Sequence, residues 1–202
     1  MRRPAVVAGA LALALALAGC TAQNSDLLDD YNKGHDSGDY ISGDGSVVVL
    51  APENRAEPVA FSGETDAGDA VSSDELAGRV VLLNFWYASC PPCRREAPEL
   101  EALNQQFQGE DVVVLGVNTQ DSAATAQTFA REHGVTYPSV LDAGSNDVLF
   151  AFSGDVPPNA VPTTLLLDRE GRVAARFSGY LESPSLVADR IEALLAESGT
   201  AG

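Results

Sequence analysis

Two cysteines, Cys90 and Cys93, are the residues whose type and spacing point most directly to chemistry. They lie in the segment 86–93, which reads WYASCPPC. Two thiols at this spacing can close a disulfide and open it again, or they can supply half of a zinc site. Zinc would need two further ligands, but the chain has no other cysteine outside its N-terminal segment, and its two histidines, His35 and His133, are far apart. The pattern therefore favours redox chemistry.

A strand and a helix are expected to position the two thiols. Val80–Trp86 is an unbroken β-branched and aromatic run, which is typical of a buried strand. A helical pattern follows from residue 91 to about 107, and Pro91 and Pro92 fall where a helix begins and its first N–H groups need no intrahelical partner. Cys90 is then at a helix N-terminus, whose partial positive charge and free N–H groups stabilise a thiolate.

Composition excludes some classes of partner. The chain has 202 residues and is 45% hydrophobic, which suffices for one domain with appendages. It carries 29 acidic against 12 basic side chains, a net charge of −17. This acidity argues against nucleic-acid binding, which needs a basic face, and against electrostatic attachment to anionic lipid.

The N-terminus has the pattern of an export signal. Arg2 and Arg3 precede an apolar run over residues 5–18, which is short for a membrane span and suits a signal peptide. The run ends in LAGC at 17–20, which resembles a bacterial lipobox, so Cys20 is expected to carry lipid and to become the mature N-terminus. Cleavage at a nearby site without lipidation is the alternative.

The rest of the chain divides into two segments. Residues 20–45 are polar and acidic and predict a disordered tether after the signal peptide at 1–19. Residues 46–199 alternate strand and helix patterns and end in a hairpin and a helix, which predicts an α/β fold with a mixed sheet between helices. Ahead of the cysteines, strands are predicted at 47–50 and 58–62, with a turn at 63–68.

These motifs together resemble the thioredoxin superfamily, and within it the membrane-tethered TlpA/ResA-like thiol-disulfide oxidoreductases. The resemblance covers roughly residues 57–197, and the segment 84–93 (NFWYASCPPC) matches the active-site signature. Pro98 matches the proline of the active-site helix, and Glu96 a glutamate typical of the ResA-like branch. Residues 161–164 (VPTT) match the loop that carries a cis-proline just before a strand.

The resemblance implies a thioredoxin-like fold, in which the mixed central sheet gains an N-terminal β extension and an inserted strand–helix unit. It implies catalytic roles for Cys90, Cys93, Glu96 and Pro162, although an ordinary trans loop proline is the alternative for Pro162. The residues expected to border the bound substrate are Trp86, Pro91, Pro92, Val161 and Thr163.

One position departs from thioredoxin itself. Asn84 stands where thioredoxin has a buried aspartate, and a neutral amide cannot accept the proton of the resolving thiol. Glu96 is the candidate for that work because it lies three residues beyond Cys93 and shares its helix face. The alternative for Glu96 is a solvated first-turn glutamate favoured by the helix dipole.

The mechanism expected from these residues is thiol–disulfide exchange without a cofactor or a metal. Cys90, taken as the thiol nearer solvent, attacks a partner disulfide, and Cys93 then attacks Cys90 and releases the reduced partner. The protein is expected to be a monomer, held outside the cytoplasm of a bacterium by the lipid on Cys20. The resemblance implies that it receives electrons from a membrane thiol donor. It also implies that the substrates are disulfides of exported proteins such as apocytochrome c during cytochrome c maturation.

Three alternatives remain open from the sequence. The same pair could run in the other direction, as an oxidase or isomerase of envelope disulfides. Cys90 and Cys93 could bind Cu(I) in a carrier module, although such modules generally use wider spacing and a histidine. A peroxidase would want Thr or Ser three residues before its cysteine, where this chain has Tyr87.

Overall fold

The computed structural model describes residues 40–41, 44, 46–157 and 160–197. The predicted signal peptide, the lipidation site at Cys20 and nearly all of the tether therefore lie outside the described residues. Within the ranges that are described, no helix has the length and apolar character that crossing a membrane requires.

The secondary structure follows the predicted alternation of strands and helices. The α-helices of the described chain are α1 (Pro91–Gln106), α2 (Ala123–His133), α3 (Asp147–Ala151) and α4 (Pro184–Ala196). The strands are β1 (Tyr40–Ile41), β2 (Val47–Val49), β3 (Ser62–Glu64), β4 (Ala70–Ser72), β5 (Val80–Trp86), β6 (Val112–Asn118), β7 (Ser139–Leu141), β8 (Thr163–Leu167) and β9 (Val173–Ser178).

Strand β5 lies inside a mixed sheet, as predicted. From β2 onward the order of the main sheet is β2-β9-β8-β5-β6-β7. β5 runs parallel to β6 and antiparallel to β8, so one edge of the sheet has parallel strands and the other has antiparallel strands. β7, with α2 before it and α3 after it, lies between β6 and β8 in the chain. This segment agrees with the inserted strand–helix unit that the resemblance implies.

The side chains of β5 alternate between two hydrophobic clusters because successive strand residues point to opposite faces. Val80 and Leu82 pack into one cluster with residues of α1 and α4, including Leu100 and Ile191. The odd-numbered residues pack into a second cluster beneath the β3–β4 hairpin and α3, whose members include Phe61, Val81, Leu83, Phe85, Val148 and Phe152. Burial on both faces explains why this strand reads as a continuous apolar run.

The N-terminal β extension is present, but one of its strands is not where the sequence predicts it. The strand predicted at 58–62 begins only at Ser62, and Gly63, taken as the start of a turn, lies inside β3 and pairs with Val71. A side chain at Gly63 would overlap Val140. Here glycine marks a close approach between two strands rather than a turn.

A buried ion cluster ties the segment before β3 to the end of α4. Nη1 of Arg55 lies 3.1 Å from Oδ2 of Asp168 and 2.6 Å from Oε2 of Glu197, and Arg172 also binds Asp168. The side chain of Arg55 is 3% exposed. Its carboxylate partners raise the pKa of Arg55 further. The sequence analysis did not foresee this cluster, because its members are far apart in the chain.

Candidate active site

Cys90 and Cys93 form a disulfide at the first turn of helix α1, with their Cα atoms 5.3 Å apart. Cys90 is the N-cap residue, and its sulfur accepts a hydrogen bond of 3.2 Å from the backbone N–H of Cys93. Pro91 and Pro92 occupy the first two helical positions. The predicted placement of Cys90 at a helix N-terminus is confirmed, and the N–H bond to its sulfur is the kind of contact that favours a thiolate after reduction.

Both sulfur-bearing residues are buried in this disulfide form. Cys90 is 1% exposed and Cys93 is 2% exposed. Exposure does not distinguish the two residues in the oxidised state, so the expectation that Cys90 is nearer solvent stays a prediction. Both cysteines belong to one apolar cluster, whose other buried members are Trp86, Ala97, Ala126 and Phe129. The half-buried residues that pack against this cluster include Tyr87, Ala88 and Val161.

Glu96 is fully buried, so its reading as a solvated glutamate is wrong. Its Oε1 accepts a hydrogen bond of 2.9 Å from the side-chain amide of Asn84, and its Oε2 accepts one of 3.3 Å from the backbone N–H of Leu181. The amide of Asn84 also donates to the hydroxyl of Thr164 at 3.0 Å. Asn84, from β5, thus links the cysteine helix to β8.

Burial raises the pKa of Glu96 from 4.5 to about 7. The hydrogen bonds from Asn84 and Leu181 oppose this rise, and the nearby charge of Glu99 adds to it. A carboxyl group with such a pKa can take up or release a proton near neutral pH. Glu96 is one helical turn beyond Cys93, which places an acid–base group on the same face of α1 as the resolving thiol.

A second carboxylate lies one turn further along α1. Oε1 of Glu99 accepts a hydrogen bond of 2.7 Å from the hydroxyl of Tyr180, while its Oε2 has no partner among the described residues. The hydrogen bond to Glu99 raises the pKa of Tyr180. The guanidinium of Arg95 lies 4.4 Å from the centre of the Tyr180 ring, which is a cation–π contact. Arg95, Tyr180 and Glu99 together border the side of α1 that carries Glu96.

The loop before β8 lies against the cysteines. The peptide bond between Val161 and Pro162 is cis, so the alternative of a trans proline is wrong. Pro162 and Thr163 are buried, and Val161 is half-buried against the cysteine cluster. Thr163 is opposite Phe85 in the pairing of β8 with β5. The structure thus brings the predicted loop and the disulfide together.

The remaining predicted substrate residues differ in what they can offer a partner. Pro91 is exposed and Pro92 is half-buried, so both present surface beside Cys90. Trp86 is 6% exposed, its indole N–H donates to Oγ of Ser139 at 3.1 Å, and its ring centre lies 4.3 Å from that of Phe129. Its observed contacts are packing contacts, and its contact with a substrate stays a prediction.

The sequence analysis missed a second loop at the site, between β6 and α2. Oδ2 of Asp121 accepts a hydrogen bond of 2.6 Å from the backbone N–H of Ala88, two residues before Cys90. The signal for this loop is its place in the sheet, because Asn118 ends β6, Asp121 follows it, and the carboxyl ends of parallel strands carry functional loops. Beside this loop lies a groove of about 390 Å³, lined in part by Ala88, Arg94 and Phe129.

Comparison with known proteins agrees with this geometry. The family model described as Redoxin matches residues 51–193. The thiol-disulfide oxidoreductase ResA of Halalkalibacterium halodurans is 34% identical over 61% of this chain and 67% of its own length. The thiol:disulfide interchange protein HelX of Rhodobacter capsulatus is 35% identical over 75% of this chain and 77% of its own. The match to ResA thus spans about two thirds of that relative.

Solved structures show the same fold. A secreted thiol-disulfide isomerase from Corynebacterium glutamicum superposes with a TM-score of 0.70 at 30% sequence identity. The superposition covers 78% of this chain and 97% of that one. The thioredoxin-like architecture expected from the sequence is therefore confirmed.

Proposed function

This chain belongs to the Redoxin family and is a thiol-disulfide oxidoreductase, and we propose that its Cys90–Cys93 pair reduces disulfides of exported proteins. The observation that carries the proposal is the position of the pair. Cys90 caps helix α1, and Cys93 follows one turn later on the same helix as the buried Glu96. Such a placement supplies a nucleophile, a resolving thiol and a proton acceptor in one element.

The reaction begins from the reduced pair. The Cys90 thiolate attacks one sulfur of the partner's disulfide, and the partner's other sulfur leaves as a thiolate. Cys93 gives its proton to the Glu96 carboxylate and attacks the Cys90 sulfur, which releases the second partner sulfur. The partner has gained two electrons, and the pair is a disulfide, as in this structure. No cofactor takes part, and a membrane thiol donor restores the reduced pair.

The substrate chain is proposed to lie between the first turn of α1 and the loop before β8. Val161 packs against the cysteine cluster, and Pro91 and Pro92 present surface on the other side of Cys90. In the family that this chain resembles, the backbone beside the proline of this loop offers an extended edge for the partner's chain. Pro162 and Thr163 would hold that edge in place from their buried positions.

The setting outside the cytoplasm is part of the proposal and rests on the first 20 residues. We propose that Cys20 carries the lipid that anchors the protein to the bacterial membrane, near its electron donor. A reductase in an oxidising compartment needs a continual supply of electrons, which makes such a position useful. Replacing Cys20 by Ala should move the protein to the soluble fraction, and retention on salt-washed membranes would contradict lipid as the anchor.

The client proposed first is apocytochrome c, because the active-site segment resembles the ResA-like branch. A second candidate function is general isomerisation or oxidation of envelope disulfides. This second function is favoured by one observation, the overall similarity to a structure named as a secreted thiol-disulfide isomerase.

The experiment that separates the two functions traps the client. In Cys93→Ser the resolving thiol is absent, so Cys90 stays linked to whatever protein it has attacked. Cys90→Ser is the matched control, because it keeps the fold and lacks the nucleophile. A narrow set of trapped proteins with haem-binding cysteines supports the specific reductase. If many unrelated proteins are trapped, the protein is instead a general isomerase or oxidase of envelope disulfides.

A further inference from the structure

We propose that Asp121 is a positioning residue, which holds the loop carrying Cys90 in place for its attack on a partner's disulfide. This cysteine loop consists of residues 87–89, between the end of β5 and the N-cap of α1. The kinetic part of this proposal rests on the proposed function. Its structural part, the restraint of the loop, can be measured without any redox reaction.

The contact itself is short and charge-assisted. Oδ2 of Asp121 lies 2.6 Å from the backbone nitrogen of Ala88, which donates the hydrogen bond. A hydrogen bond from an N–H group to an ionised carboxylate is shorter and stronger than one between neutral groups. Ala88 is only two residues from Cys90, so any shift of its backbone changes the approach of the attacking sulfur.

The carboxylate is itself held by a buried side chain. Nδ2 of Asn118, at the end of β6, donates to Oδ2 of Asp121 at 2.9 Å. Oδ1 of Asn118 accepts hydrogen bonds from the backbone N–H groups of Gln120, at 3.1 Å, and Asp121, at 2.7 Å. Asn118 is fully buried. The orientation of Asp121 is therefore fixed from the sheet.

The loop between β6 and α2, which carries Asp121, also binds the end of β5. The backbone N–H of Thr119 donates to the carbonyl oxygen of Trp86 at 3.0 Å. The cysteine loop is thus tied to the β6–α2 loop on both sides of Tyr87, at Trp86 and at Ala88. Within the loop, the N–H of Cys90 donates to the carbonyl of Tyr87 at 3.2 Å, which closes a turn. These bonds leave Cys90 little freedom relative to β6.

Helix α2 does not account for the position of Asp121. The N-cap of α2 is Ser122, whose hydroxyl accepts from the N–H of Thr125 at 3.4 Å. The Asp121 carboxylate points instead to the neighbouring loop, at the edge of the groove beside Ala88 and Arg94. Ser122 therefore offers a matched control, one residue away, that touches the helix and not the cysteine loop.

The experiment compares the full chain with three variants, Asp121→Ala, Asp121→Asn and Ser122→Ala. Hydrogen exchange at the Ala88 amide is measured in the oxidised protein, and the rate of reaction with glutathione disulfide in the reduced protein. Losing a hydrogen bond to a charged acceptor predicts faster exchange in Asp121→Ala by about tenfold or more. Misplacing the attacking sulfur predicts that the reduced Asp121→Ala variant reacts with glutathione disulfide more slowly than the parent, by about tenfold or more.

The other two variants decide whether positioning is the cause. Asp121→Asn keeps an oxygen that can accept both bonds but loses the charge, so its hydrogen-exchange rate and its reactivity should lie between those of the parent and those of Asp121→Ala. Ser122→Ala should lower the melting temperature and leave both readouts at parent values. The proposal is overturned if Asp121→Ala reacts like the parent, if Asp121→Asn is as slow as Asp121→Ala, or if Ser122→Ala slows the reaction equally. If hydrogen exchange at the Ala88 amide is unchanged in Asp121→Ala, Asp121 does not restrain the loop, and this conclusion holds whether or not the protein is a reductase.

Discussion

The side-chain amide of Asn84 donates a hydrogen bond of 2.9 Å to the carboxylate of Glu96 in the interior, where neither residue reaches solvent. A neutral partner leaves Glu96 as the titrating group of this pair. The backbone N–H of Leu181 supplies a second donor. Two donors reduce the cost of burying a charge but do not abolish it, because burial still raises the pKa of Glu96 to about 7.

The raised pKa of Glu96 predicts a fall in stability as pH rises. In the unfolded chain the group loses its proton near 4.5, and in the folded protein near 7. Between these values the folded state binds more protons, so the free energy of unfolding falls by roughly 3 kcal/mol across the window. Urea denaturation of the oxidised protein from pH 4.5 to 8 should show this fall, and Glu96→Gln should lack it. Parallel curves for the two proteins would contradict a buried, titrating Glu96.

Glu96→Gln should also change the reactivity of Cys93. With a proton acceptor lost, turnover should slow by about tenfold or more, and the pH profile of Cys93 alkylation should lose its step near 7. Glu99→Gln is the matched control on the same helix. It should keep the step but move it to lower pH, because the charge of Glu99 raises the pKa of Glu96. Superimposable profiles for Glu96→Gln and the parent would rule out proton handling.

Removing the Asn84 amide should cost stability in a pH-dependent way. Asn84→Ala leaves Oε1 of Glu96 without its donor, which should lower the free energy of unfolding by about 1–3 kcal/mol at pH 8. At pH 5 Glu96 is protonated and the loss should be smaller. The pKa of Glu96 should rise, because the bond from Asn84 lowers it. Thr164→Val is the control, because it removes only the other acceptor of the Asn84 amide. If Asn84→Ala lowers the free energy of unfolding equally at pH 5 and pH 8, the bond from Asn84 does not stabilise the Glu96 carboxylate.

The central strand and the cysteine helix could be predicted because their signals are local. Seven consecutive apolar or amide residues and two prolines decide where β5 ends and α1 begins. The burial of Glu96 could not be predicted this way, because it depends on Leu181, 85 residues away in the chain. The role of Gly63 was misread for the same reason, since Val140, the side chain that leaves no room for a Cβ there, belongs to a distant strand.

The buried cluster around Arg55 predicts a second stability effect, remote in the chain from the cysteines. Arg55→Met should destabilise the protein by about 3 kcal/mol, because it leaves Asp168 with one cation fewer in a buried site. Arg169→Met is the control, since Arg169 lies 3.9 Å from an Asp111 side chain that is 72% exposed, and such a pair is worth at most about 1 kcal/mol. Urea denaturation measures both. Equal losses in the free energy of unfolding for the two variants would show that the buried cluster stabilises the protein no more than an exposed ion pair does.

The reduction potential of the Cys90–Cys93 pair tests the central claim most directly. The full chain can be equilibrated in redox buffers of known potential and followed by the fluorescence of Trp86, the chain's single tryptophan, which lies in the cysteine cluster. A reductase predicts a value near that of thioredoxin, roughly −270 mV. A value near roughly −120 mV, typical of a strong oxidant, would contradict the account and assign the protein to disulfide formation.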